Sequence, residues 1–138
     1  MPLTADDRLA ILDVLARANW AADAKDVEEL ADHYAPDGQI SGAFQAQAGD
    51  GFRGDLRRIF DGEGSLKRHL LANPVIEGDG DRAQVTWLMP VFEGETEPAL
   101  VATCKVTDEL RRENGRWLIV HHRVEIDPSM TIDVGQGG

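Results

Sequence analysis

Asp23 and His69 carry the first chemical signal in this chain. Asp23 stands in Asn19-Trp20-Ala21-Ala22-Asp23-Ala24-Lys25-Asp26, and His69 in Lys67-Arg68-His69-Leu70-Leu71-Ala72-Asn73-Pro74. A carboxylate that reaches a histidine fixes its tautomer and raises its basicity, which makes a general base for work near neutral pH. His122, near the end of the chain, is the third candidate catalytic group. The run His121-His122 with Glu125 and Asp127 suggests no metal site, because neighbouring strand residues point to opposite faces and do not share one ion easily. Asn19 and Trp20 beside Asp23 are candidate substrate-binding residues. So are Phe44, Phe52 and Phe60 in the middle of the chain, and Trp87 and Met89 beyond it. For any single one of these aromatics, and for Met89, a place in the ordinary core is the better reading.

These groups act together only if the surrounding elements bring them together. Thr4 is an N-cap with Asp7 three residues on, in capping-box spacing. From there to Ala22 the residues Leu9, Ile11, Leu12, Leu15, Ala18 and Ala22 read as a helix with an apolar stripe centred near Leu15. Asn19 falls within that stripe, and Asp23 lies at its edge, about 20° from Leu12. Two polar side chains at the end of an apolar face can look into a cavity beneath the helix. A second helix is expected over roughly Asp26 to Tyr34, ended by Ala35-Pro36-Asp37-Gly38, with His33 near its last turn.

Gln39 to Phe44 reads as a short strand. The stretch from Gln45 to Ser65 is Gly-rich, and Leu56, Ile59 and Phe60 within it fit a short amphipathic helix. The part from Gln45 to Gly64 is expected to be the mobile gate of a pocket. The second half reads as a strand meander. Ala83, Val85, Trp87, Met89 and Val91 alternate with polar residues, and Leu100, Ala102, Cys104 and Val106 do the same. Hairpin turns are expected at Glu77-Gly78-Asp79-Gly80-Asp81 and Glu113-Asn114-Gly115-Arg116. In the last strand Leu118, Val120, Val124 and Ile126 are expected to share one face with His122, while His121 points away with Arg123 and Glu125. Helices followed by a meander make an α+β plan, with the helices on one face of a curved sheet and a pocket between them.

Composition bounds the function. A chain of 138 residues suggests one domain, here 1–128, with 129–138 as a flexible tail rich in Gly and Gln. The net charge is −11, from 14 Lys and Arg against 25 Asp and Glu. That excess of acids argues against nucleic acid and against anionic membranes as partners. With Cys104 as the lone cysteine no internal disulfide is possible, and a cytoplasmic location is expected. Cys104 has core parity, and a nucleophilic role is not expected. No nucleotide motif is present, and no cofactor is expected.

At this point the chain resembles the SnoaL-like branch of the nuclear-transport-factor-2-like superfamily, from about Leu9 to Asp127. The carrying segments are Trp20 to Leu30, His33-Tyr34-Ala35-Pro36-Asp37-Gly38, Arg68 to Pro74 with Gly80-Asp81-Arg82-Ala83, and Asp108 to Trp117. The resemblance implies a cone-shaped fold, with N-terminal helices packed in a curved antiparallel sheet around an apolar pocket. It implies homodimers or homotrimers, and small apolar molecules as partners. Within that branch, scytalone dehydratase, hexachlorocyclohexane dehydrochlorinase and bile-acid dehydratase share an Asp–His pair that maps onto Asp23 and His69. The dehydrochlorinase's leaving-group Arg on the last strand maps onto His122. The resemblance thus implies a lyase or isomerase acting on polyketide, steroid or terpenoid rings, or alternatively a non-catalytic binding or structural subunit. One departure is plain: the Tyr or Lys that these enzymes carry five residues before the Asp is Ala18 here.

Overall fold

The structure is a computed structural model, and it describes residues 1–64 and 66–128. The expected tail at 129–138 lies outside the described residues. Helix α1 spans Ala5–Asp23 and begins with the expected capping box: Thr4 accepts from the Asp7 backbone N–H, and Asp7 accepts from that of Thr4. Its buried positions are Ile11, Leu15, Ala18 and Ala21. Leu9 does not join them and is 66% exposed, because it lies about 200° around the helix from Ile11.

Helix α2 spans Val27–Asp32, shorter than expected, with Asp26 as N-cap and His33 as C-cap. Strand β1 then begins at Tyr34 and runs to Gly42. The Ala35-Pro36-Asp37-Gly38 segment, expected as a turn, instead lies within this strand, where pairing slips between Tyr34 and Gln39. An edge position tolerates this, since proline's missing N–H costs least where no second neighbour needs it. At Gly42 the backbone has φ 94°, and any side chain would collide with the Val124 carbonyl, so only glycine fits there.

Helix α3, Phe52–Asp61, occupies half of the Gly-rich stretch and buries Phe52, Leu56 and Phe60. The remaining strands are β2 (Lys67–His69), β3 (Ala72–Asp79), β4 (Arg82–Glu93), β5 (Ala99–Glu113) and β6 (Arg116–Ile126). The strand order is β1-β6-β5-β4-β2, with β3 also paired to β4. Pairing is antiparallel except that β1 runs parallel to β6. Both expected hairpins form, and Asn114 and Gly115 adopt φ of 51° and 79° at the second, as a tight hairpin turn requires. Ala83, Val85, Trp87, Met89 and Val91 are all buried on the inner face of β4.

The expected face of the last strand needs correction. Glu109 pairs with His121, but Leu110 pairs with Ile119, leaving a bulge at Val120. A bulge reverses the parity of the residues before it. Ile119 therefore turns inward beside His122 and Val124, while Val120 lines a depression with Glu77 and Gln84. Ile126 is 41% exposed rather than inward.

Candidate functional site

The site forms where the C-terminal half of α1 crosses the concave face of the sheet. Between them lies a mostly apolar cavity of about 80 Å³, counted as room for the centres of water molecules. Leu15 and Ala18 of α1, Phe60 of α3 and Met89 of β4 form part of its wall. The enclosure follows from the local sequence: α1 presents a small-residue end at Ala18 and Ala22, so the helix packs on the rim without filling the cone.

At one side, Asp23 at the end of α1 meets His69 at the end of β2. The His69 ring Nδ1 lies 2.6 Å from Asp23 Oδ1, and the His69 backbone N–H donates to the same oxygen at 3.1 Å. An ionised carboxylate can only accept, so Nδ1 carries the hydrogen in this pair. His69 lines the cavity, whereas Asp23 stands behind it. The carboxylate's place at a helix C-terminus is electrostatically unfavourable by itself, and the two N–H donors compensate for it.

A second pair faces the same cavity. His122 Nδ1 lies 2.6 Å from Asp108 Oδ1, and the other Asp108 oxygen accepts the Trp87 indole N–H at 2.6 Å. Asp108 is fully buried, with 0% exposure. Asp108 pairs with His122 across β5 and β6, and Trp87 pairs with Val106 across β4 and β5. The three side chains thus form a row across three adjacent strands on one face. Sequence reasoning missed Asp108. A usable signal existed, since the inward alternation Cys104, Val106 continues through Asp108 to Leu110, and an acid at core parity needs a partner.

Other expected residues fall in several places. Asn19 lines the cavity, and its side-chain Nδ2 is buried without a hydrogen-bond partner. Phe44 lies at the wall while 41% exposed, and Phe60, Trp87 and Met89 line it from buried positions. Trp20 does not line the cavity. It is 74% exposed, about 140° around α1 from Leu15, and borders an outer groove with Leu70 and Leu71. Phe52 is also not a lining residue; it packs under Tyr34, with ring centroids 5.0 Å apart, and so supports the wall from behind. His121 turns away from the cavity and meets Ser41 Oγ at 2.6 Å. His33 caps α2 and reaches Glu29 at 3.1 Å.

Two further lining residues were not anticipated. Burial pushes the Glu63 carboxyl above its ordinary range, against the opposing pull of His69 and nearby lysines. Tyr34 is buried in the wall, and burial together with the Asp108 charge pushes its phenol well up, so it remains a hydroxyl. Burial likewise raises the Cys104 thiol, which makes it a poor nucleophile. Among the described residues no group of three or more His, Cys, Asp or Glu side chains is placed to hold a metal ion. Among the described residues no helix is long and apolar enough to cross a membrane.

A SnoaL-like domain profile matches residues 3–123. Among solved structures, a protein of unknown function with a cystatin-like fold from Nostoc punctiforme is 30% identical, with a TM-score of 0.81, and the match covers 94% of this chain and 98% of that one. A nuclear-transport-factor-2-like protein with a cystatin-like fold from Novosphingobium aromaticivorans is 20% identical over 91% of this chain and 86% of that one, with a TM-score of 0.76. A protein from Catenulispora acidiphila, solved in complex with S-DNPA, is 24% identical over 91% and 97% of the two chains, with a TM-score of 0.80. No curated protein matches the chain significantly.

Proposed function

Because the chain belongs to the SnoaL-like domain family and has the nuclear-transport-factor-2-like, cystatin-like fold, we propose that it is a cofactor-independent lyase or isomerase. It acts, dehydratase- or cyclase-like, on a small apolar ring compound such as a polyketide, steroid or terpenoid intermediate. The observation that carries this reading is the Asp23–His69 contact of 2.6 Å at the wall of an apolar cavity. His69 Nε2 takes a proton from carbon next to a carbonyl or leaving group. Asp23 holds the ring and balances the imidazolium that forms, and such a base contributes typically about 10²–10⁴-fold. The unpartnered Asn19 amide donates to the carbonyl oxygen and polarises it, and His122 assists a departing hydroxide when its ring carries both protons. A buried donor without a partner costs roughly 1–3 kcal/mol, so a ligand oxygen that satisfies it is favoured there. The complex of the Catenulispora protein with S-DNPA adds weak support for a small-molecule ligand in this fold. Residues 1–128 act as one domain, in a reducing compartment, within a homodimer or homotrimer.

The alternative is a non-catalytic ligand-binding or structural subunit. Ala18 favours it, because a buried methyl group lines the wall where the related dehydratases place a Tyr or Lys. One experiment separates the readings. Ring ketones and hydroxy-ketones that raise the melting temperature are incubated with protein in D₂O, and the α-hydrogens are followed by NMR. An enzyme exchanges them in the wild type and not in His69→Ala. Binding without exchange in the wild type favours the alternative.

A further inference from the structure

The row Trp87, Asp108, His122 holds a constraint that acts on a single proton. The Asp108 carboxylate is fully buried and meets two neighbours, each at 2.6 Å: the indole N–H on one oxygen and His122 Nδ1 on the other. Indole nitrogen can only donate. The oxygen that faces it must accept. An ionised carboxylate then leaves its second oxygen as an acceptor too, so His122 holds its hydrogen on Nδ1. We propose that Asp108, itself held in place by the Trp87 indole, sets the proton position on His122 and makes its Nε2 a second proton-accepting atom in the cavity that His69 also lines. Trp87 and Asp108 are positioning residues in this scheme, and His122 is the group that meets substrate. The catalytic consequence rests on the proton-transfer reading of the cavity, but the proton placement does not.

The substrate class follows from the same placement. His69 and His122 each spend Nδ1 on a carboxylate and so present Nε2 as an acceptor when neutral. Among the described residues no Lys or Arg lines the cavity, while Glu63 does. Such a wall suits an uncharged molecule that brings its own hydroxyl donor, and it disfavours a carboxylate or phosphate ester. The occupant is therefore a neutral hydroxylated ring compound: one nitrogen receives a hydrogen bond from its hydroxyl, and the other takes the proton from carbon.

The scheme makes an unusual claim about substitutions. In Asp108→Asn the amide oxygen must accept from Trp87, so the amide NH₂ faces His122. The ring then presents a lone pair at Nδ1 and carries its hydrogen on Nε2. Trp87→Phe removes the donor that imposes this, so in the double variant the amide turns over and accepts from Nδ1 again.

The test is long-range ¹⁵N–¹H NMR of the imidazole rings in the intact protein, at a pH where they are neutral. The expected result is an Nδ1-protonated His122 in the wild type and in Trp87→Phe, an inverted ring in Asp108→Asn, and reversion in the double variant. A wild-type ring protonated on Nε2 overturns the proposal, and that measurement needs no variant to fold. An unchanged ring in a folded Asp108→Asn overturns it as well. In parallel, a neutral hydroxy-ketone should raise the melting temperature and its carboxylate analogue should not; the reverse order overturns the substrate class. With a turned-over substrate, Asp108→Asn should lower kcat by roughly 10²-fold at nearly unchanged KM, and the double variant should recover part of it. The NMR pattern without any turnover upholds the proton placement and sinks the functional reading instead.

Discussion

At the residue scale the site divides labour between atoms of the same kind. Asp23 and Asp108 are both carboxylates held against a histidine Nδ1 at 2.6 Å, yet Asp23 retains 10% side-chain exposure while Asp108 has none. If His69 is the base, His69→Ala should abolish turnover with the fold intact. Asp23→Asn should lower kcat and keep most substrate affinity, because Asn still accepts the imidazole hydrogen bond but cannot balance the imidazolium. His122→Ala should cost less than His69→Ala. Steady-state kinetics of the three variants check this order, and a nearly silent His69→Ala would move the base to β6. Glu63 supplies a pH prediction. Its carboxyl is raised by burial, so the folded state binds that proton more tightly than the unfolded chain does. Its contribution to stability is therefore fully present below the unfolded value of about 4.3 and is lost as pH rises through the folded value. Glu63→Gln should melt higher than the wild type at neutral pH, and the two should converge near pH ~4. A melting difference independent of pH would assign the effect to packing.

At the element scale α1 is the part that aims the dyad, and its N-terminus anchors it. The Asp7 carboxylate caps the helix and also accepts from Arg112 of β5 at 2.8 Å. Thr4→Ala removes one half of the capping box and should cost about 1 kcal/mol, lowering the melting temperature by roughly 2–8 °C. Calorimetry would show it. The segment from Gly42 to α3 is the other element that matters. Its turns carry Gly49 and Gly51 with open space around them, but α3 buries Phe52, Leu56 and Phe60. Hydrogen exchange should therefore separate the two halves: residues 48–51 exchange fast and slow down with ligand, while α3 stays protected throughout. Uniform protection with and without ligand would make the whole segment a fixed wall.

At the scale of the molecule, the cone leaves apolar side chains outside as well as inside. Val75 on β3 and Leu88 on β4 are 58% and 41% exposed, and Trp20 on the outer side of α1 is 74% exposed. A homodimer or homotrimer would cover some of this area, and native mass spectrometry at micromolar protein should show it. A monomer at every concentration would leave the site to a single chain. The acidic surface, with its net charge of −11, should keep the protein from retaining on heparin or on anionic vesicles at low salt.

The sequence by itself determined the periodic elements and the identity of the first dyad. The helical stripe through Leu15 and the alternation through Trp87 and Met89 are local patterns, and local patterns survive folding because burial selects one face of each element. The resemblance then located Asp23 and His69 in one pocket, and the chain brings them to 2.6 Å. What the sequence did not show depends on long-range register. The bulge at Val120 sends Ile119 inward, and no run of residues marks where one extra residue enters a ladder. Trp20 and Phe52 read as pocket lining because both are aromatic, but only the packing angle of α1 and the layer beneath Tyr34 decided that neither lines it. Asp108 was not singled out, although it continues the inward alternation of Cys104 and Val106. It is buried because three strands align Trp87, Asp108 and His122 on one face, and a carboxylate tolerates burial only where donors from distant parts of the chain arrive together.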